Sequence, residues 1–181
     1  MPPWPPDREL RIDQSANPIV WCTHPRTTED LPEVTDADID TMFGDFGATS
    51  RRIITYGHVV PKDKHSAHFL ATRRGLKMHT DPGYVRFTHH LVLRNDGLGI
   101  TGLSATVRYP TFERGALYCL DSWSPHCVDW DDRLPRTGLY KVQAAIDADY
   151  PMSVEEVLDE LAPLLARGTV TGDPLLAVHK R

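Results

Sequence analysis

The chain has 181 residues, 40% of them hydrophobic, with 20 Lys+Arg against 25 Asp+Glu and a formal net charge of -5. That balance fits one globular domain able to bury its own core, and it excludes a collagen, a disulfide scaffold and a wholly disordered chain. No global basic field draws nucleic acid or a membrane surface, and no apolar run approaches the ~20 residues of a membrane helix.

Residues 1–20 are proline-rich without apolar periodicity and read as an extended arm, which leaves residues 21–181 as a single domain. The opening Met-Pro-Pro-Trp-Pro-Pro has neither the basic nor the apolar region of a secretory signal. Three sparse cysteines (Cys22, Cys119, Cys127) with no CxxC fit a reducing compartment, so the expected location is cytoplasmic. Thr35–Phe43 predicts a short helix capped by Thr35 or Asp36. From Arg52 the pattern turns to strands: Ile53–Val60, His68–Thr72, Leu76–His79, Val85–Leu93 with Asn95-Asp-Gly as its turn, Leu103–Tyr109, Ala116–Leu120 and Gly138–Ile146. Pro151 stops the last one. Ser153–Gly168 then reads as a helix with a Ser153/Glu156 capping box and one face of Val154, Val157, Leu158, Leu161, Leu164 and Leu165, kinked or ended by Pro163. The fold class is mainly β with flanking helices, as a double-sheet barrel or sandwich.

Seven of the nine histidines fall between His58 and His126. His79-Thr80-Asp81 ends a strand, where a turn can bring both side chains inward. With a second, distant His they make the 2-His-1-carboxylate set that leaves one face of a ferrous ion open. His126, 47 residues on, is the candidate. The competing reading is a surface histidine beside a turn, since Asp81-Pro82-Gly83 is turn chemistry on its own. In the Val85–Leu93 strand, Arg86, Thr88, His90 and Val92 share a polar face, and Phe87, His89, Leu91 and Leu93 share the other. His90 is thus a pocket candidate or a satisfied core histidine, and His89 is structural. One of His58, His65 and His68 has room to line a pocket, and Arg73-Arg74 are either a carboxylate site or a solvated pair. Trp123 reads as core packing or a pocket wall, and Cys119 and Cys127 as buried small hydrophobes.

The stretch His79-Thr-Asp-Pro82-Gly-Tyr-Val-Arg86-Phe-Thr-His-His90-Leu91 resembles the aspartyl/asparaginyl β-hydroxylase family of Fe(II)/2-oxoglutarate oxygenases, whose motif is H-x-x-P-x-x-x-R-x-x-x-H-L. Asp121-Ser-Trp-Ser-Pro-His126 is similar to the block that ends in the family's second metal histidine. Lys141-Val-Gln-Ala-Ala-Ile-Asp147-Ala-Asp-Tyr-Pro151 is similar to its closing strand, with Lys141 in the place of an Arg that grips 2-oxoglutarate. The likeness spans residues 79–151. The animal enzymes carry Gly where this chain has Asp81, so its metal set is closest to that of bacterial free-proline hydroxylases.

The resemblance implies a double-stranded β-helix, or jelly-roll, in which His79, Asp81 and His126 hold Fe(II). Lys141 anchors the co-substrate 2-oxoglutarate, with Arg136 as the competing anchor and His90, Arg86 and Thr88 lining the site. With O2 such an enzyme hydroxylates an aliphatic C–H, here of a small amino acid or amino-acid-derived metabolite, and releases succinate and CO2. The partner it implies is a small molecule, with no nucleic acid or membrane, and a homodimer is left open. The alternatives are a peptidyl Asp/Asn-type hydroxylase, a cupin-type metalloenzyme without 2-oxoglutarate, and a non-catalytic jelly-roll.

Overall fold

The computed structural model describes residues 10–11, 18–23, 31–43, 54–56, 66–73, 75–81, 85–102, 113–130, 133–134 and 140–166. Its strands are β1 Leu10–Arg11, β2 Ile19–Cys22, β3 Ile54–Tyr56, β4 Ser66–Arg73, β5 Leu76–His79, β6 Phe87–Asn95, β7 Leu98–Gly102, β8 Leu117–Asp121, β9 His126–Trp130 and β10 Tyr140–Ala148. Two helices, α1 Asp36–Phe43 and α2 Val154–Leu165, complete the described elements.

The large sheet runs β1-β2-β8-β6-β10-β4-β3 and the small one β5-β9-β7, antiparallel throughout. From β4 to β10 the chain enters the large and the small sheet by turns, strand after strand. That winding makes the fold a jelly-roll, or double-stranded β-helix.

Period-two alternation gives the large sheet two unlike faces. Phe69 and Ala71 of β4, Phe87, Leu91 and Leu93 of β6, Leu117 and Cys119 of β8, and Val142, Ala144 and Ile146 of β10 make one apolar surface. Helix α2 lays Val154, Val157, Leu161 and Leu164 on it, each contributing roughly 1.5–3 kcal/mol by burial. The other face meets the small sheet through Val92, Tyr118 and Leu120 against Ile100 of β7, and it also carries the polar side chains described below.

Local signals behave as their chemistry requires. Ser153 caps α2: the Glu156 N–H donates to Ser153 Oγ at 3.2 Å, and the Ser153 N–H donates to Glu156 Oε2 at 2.8 Å. The helix runs past the exposed Pro163 to Leu165, because Leu164 is buried beyond it. Thr35, rather than Asp36, caps α1, accepting the Asp38 N–H at 3.2 Å. In the β6–β7 turn Gly97 has φ 112°, and Asn95 Oδ1 accepts the Gly97 and Leu98 N–H groups at 3.0 and 2.8 Å.

Several expectations shift. β5 has the expected bounds, while β4, β6, β8 and β10 move by one or two residues. β1, β2, β7 and β9 were not anticipated, and β1 and β2 bring parts of the proline-rich segment into the large sheet. The Leu103–Tyr109 strand, residues 53 and 57–60 of the Ile53–Val60 strand and the Gly168 helix stop lie outside the described residues. No helix among the described residues is long and apolar enough to cross a membrane.

Gly75, just before β5, fits where no larger residue does. A Cβ there would run into the Trp130 ring and stand 2.8 Å from the Val128 carbonyl of β9. Gly75→Ala should therefore push β5 from β9 and destabilise the fold by about 1–3 kcal/mol. Urea unfolding tests this, and a variant as stable as the native chain would contradict it.

Candidate metal centre

Pairing of β5 with β9 places His79 opposite His126, with ring centroids 4.5 Å apart. Asp81 follows β5, its N–H donating to the Ser122 carbonyl at 2.7 Å. Its Oδ2 then lies 3.7 Å from His79 Nε2 and 3.8 Å from His126 Nε2. The three ligand atoms all lie within 4.8 Å of one another. Two donors each roughly 2.1 Å from one ion are at most about 4.2 Å apart, so the carboxylate–imidazole spacings admit a single cation.

The tautomers suit it as well. His79 Nδ1 lies 2.6 Å from the Lys77 carbonyl and His126 Nδ1 lies 2.8 Å from the Ser124 carbonyl. A carbonyl only accepts, so both rings donate from Nδ1 and keep the Nε2 lone pair for a metal. Burial lowers the His126 pKa, which keeps that ring neutral, though its bond to Ser124 opposes the shift. Two imidazoles and one carboxylate suit Fe(II), and the same set takes Co(II), Ni(II) or Zn(II).

Lys141 and Gln143 of β10 are buried, as are His90 of β6 and Tyr118 of β8. They gather around the Tyr118 ring: His90 stacks on it at 4.7 Å, Gln143 Nε2 donates to its hydroxyl at 2.7 Å, and Lys141 Nζ lies 5.9 Å from its centroid. Among the described residues no carboxylate pairs with Lys141. Burial alone lowers its pKa from 10.5 to about 7. Burial, and next the charge of Lys141, push His90 well below the usual imidazole range. His90 Nε2 lies 2.9 Å from Thr88 Oγ1, whereas His90 Nδ1 is buried with no hydrogen-bond partner among the described residues. Among the described residues, then, a buried lysine lacks a carboxylate partner and a neighbouring ring nitrogen lacks a hydrogen-bond partner, a cost that a bound anion beside Lys141 would reduce.

The other expected residues divide. Arg86 turns to Asp121, its Nη2 donating at 2.8 Å and its Nε at 3.1 Å to each oxygen. Thr88 links His90 to Ser122, whose Oγ is 3.4 Å away. Arg136, Arg74, His58 and His65, and the side chain of Arg73, lie outside the described residues. His68 is buried, with Nδ1 4.0 Å from Asp147 Oδ2. His89 points to the helix side, where its Nε2 accepts the Met152 N–H at 3.0 Å and its ring lies 5.8 Å from Trp21. Trp123 is a correction to the core reading: it is 51% exposed, because it sits on a turn, with the Arg86 guanidinium 5.5 Å from its ring. Tyr118 and Gln143 were missed. Gln143 was findable, since it is two residues from Lys141 and so shares its face.

No protein-family model matches the chain, and no curated protein sequence matches it. Among similar solved structures, an RmlC-like cupin protein from Desulfovibrio desulfuricans is 15% identical, with 56% of this chain and 90% of that one covered and a TM-score of 0.35. A point mutant of salicylate 1,2-dioxygenase from Pseudoaminobacter salicylatoxidans is 16% identical, with 69% of this chain and 35% of that one covered and a TM-score of 0.41.

Lys141 makes a testable demand on stability. Its folded pKa of about 7 lies below the unfolded value of 10.5, so its charge opposes folding fully below pH 7. That penalty fades as pH rises from 7 to 10.5. Lys141→Met should therefore be more stable than the native chain by about 1–4 kcal/mol at pH 6, with a smaller gap at pH 9. Urea unfolding at both pH values measures the gap, and one that widens with pH would contradict the assignment.

Proposed function

We propose that this chain is an Fe(II)- and 2-oxoglutarate-dependent oxygenase that hydroxylates an aliphatic C–H of a small amino acid or an amino-acid-derived metabolite. The observation that carries this reading is the buried Lys141, which has no carboxylate partner among the described residues and whose charge helps to lower the His126 pKa. A metal-binding triad with an uncompensated cation nearby suits a co-substrate that chelates with one end and carries a carboxylate at the other. Bound Fe(II), with 2-oxoglutarate and O2, would supply the oxidising chemistry, with succinate and CO2 as co-products.

The chain's own part is binding and positioning. His79, Asp81 and His126 would hold iron on one side and leave the opposite side open. Lys141 would meet the distal carboxylate as a point charge, without the two-pronged grip of an Arg. Arrival of that carboxylate would replace the missing partner, so above pH 7 binding should take up a proton at Nζ. His90, neutral and steadied by Thr88, would offer its unpaired nitrogen to the same ligand. Lys141, His90 and His126 are buried, whereas His79 and Asp81 keep some contact with solvent.

Anaerobic titration with Fe(II) and then 2-oxoglutarate tests the reading through the weak charge-transfer band near ~500 nm that a chelated keto acid gives on ferrous iron. The native chain should develop the band, His126→Ala should abolish it, and Lys141→Ala should raise the 2-oxoglutarate concentration needed at least about tenfold. Iron binding without a band would turn the assignment to a metalloenzyme that does not use 2-oxoglutarate. Failure to bind iron would remove the enzyme reading.

A further inference from the structure

We infer that Asp121 is a positioning residue of the metal centre: clamped by Arg86, its carboxylate holds the Ser122–Ser124 turn where that turn's carbonyls orient Asp81 and His126. The inference rests on the metal-site reading and not on the choice of co-substrate.

Asp121 ends β8, and its side chain is 2% exposed. The carboxylate takes the Nε and Nη2 donors of Arg86 at 2.8–3.1 Å and the Trp123 N–H at 3.1 Å. Two backbone bonds close the same turn: Ser124 N–H to the Asp121 carbonyl at 3.0 Å and Ser122 N–H to the Arg86 carbonyl at 2.8 Å. The turn spends its outward carbonyls on the metal ligands. The Ser122 carbonyl accepts the Asp81 N–H at 2.7 Å, and the Ser124 carbonyl accepts His126 Nδ1–H at 2.8 Å. Two of the three ligands therefore hang on one four-residue turn, and its fixed point is a buried, fully paired carboxylate.

The third ligand supplies an internal control. His79 donates to the Lys77 carbonyl within its own strand, so its tautomer owes nothing to the turn. Loss of the Asp121 carboxylate leaves Arg86 without this ion pair and frees the Trp123 N–H, and the effect should reach His126 and Asp81 while sparing His79. A general loss of fold would disturb both rings alike.

The test uses the full chain and Co(II) as probe, without 2-oxoglutarate. Co(II) affinity should fall about 10–100-fold in Asp121→Ala, less in Asp121→Asn, which keeps an acceptor for the Trp123 N–H, and measurably in Arg86→Met. The double variant Arg86→Met/Asp121→Ala should bind no worse than Asp121→Ala, as expected of two residues acting through one contact. In the metal-free protein, 15N imidazole spectra should show His126 losing its preference for the Nδ1–H tautomer and His79 keeping it. Urea unfolding establishes that each variant is folded. A folded Asp121→Ala with Co(II) affinity within about twofold of native and an unchanged Co(II) spectrum overturns the inference. If Asp121→Ala does not fold, Asp121→Asn and Arg86→Met decide it by the same criteria. A native chain that binds no Co(II) overturns the metal-site reading, and the inference with it.

Discussion

Antiparallel pairing of β5 with β9 sets His79 across from His126, and a one-residue slip would send one of the two imidazoles to the opposite face of the sheet. The register is irregular between Leu76 and His79. It is held on one side by the close approach of Gly75 to Trp130 and the Val128 backbone, and on the other by the Asp81 N–H bonded to Ser122. The sheet ends where the ligands begin. Asp81, two residues beyond His79, keeps to the side of the sheet that His79 faces, and the bond from its N–H to Ser122 holds its carboxylate within 4 Å of both rings.

Behind that pair stands a sheet whose two faces do opposite work. The face under α2 is apolar from Phe69 across to Leu117 save for His89, which accepts the Met152 N–H, and its burial stabilises the fold. The face turned to the small sheet holds a lysine, two histidines, a tyrosine and a glutamine in positions with little access to water. Such groups oppose folding unless each has a partner. Gln143 and Tyr118 satisfy one another, whereas Lys141 has no counter-charge and His90 Nδ1 no partner among the described residues. The stable face supports the unstable one, and the deficit on the inner face is of the kind that a bound anion would remove.

The features legible in the sequence were local or periodic. The His79-Thr-Asp triplet, the α2 capping box and the Asn95 turn each depend on neighbours a few residues away. Alternation along β6 separated His90 from His89, and the structure sends the two rings to opposite faces of the sheet. What stayed hidden depends on distant pairing. β7, Leu98-Gly-Ile-Thr-Gly, contains two glycines and has weak strand propensity, yet it is a strand because β9 lies beside it. The Arg86–Asp121 pair joins residues 35 apart, and no spacing rule ties an Arg on one strand edge to an Asp on another. Trp123 reads as apolar and so as core, but its place on a turn leaves it in solvent.

His79, Asp81 and His126 are proposed to hold one iron ion together. X-ray absorption at the iron edge of the anaerobic Fe(II)-loaded protein tests it most directly. The spectrum should show one iron per chain with two imidazole nitrogens and a carboxylate oxygen at roughly 2.1 Å, and loss of one imidazole shell in His126→Ala. An iron site with no imidazole scattering, or one unchanged by His126→Ala, would contradict it.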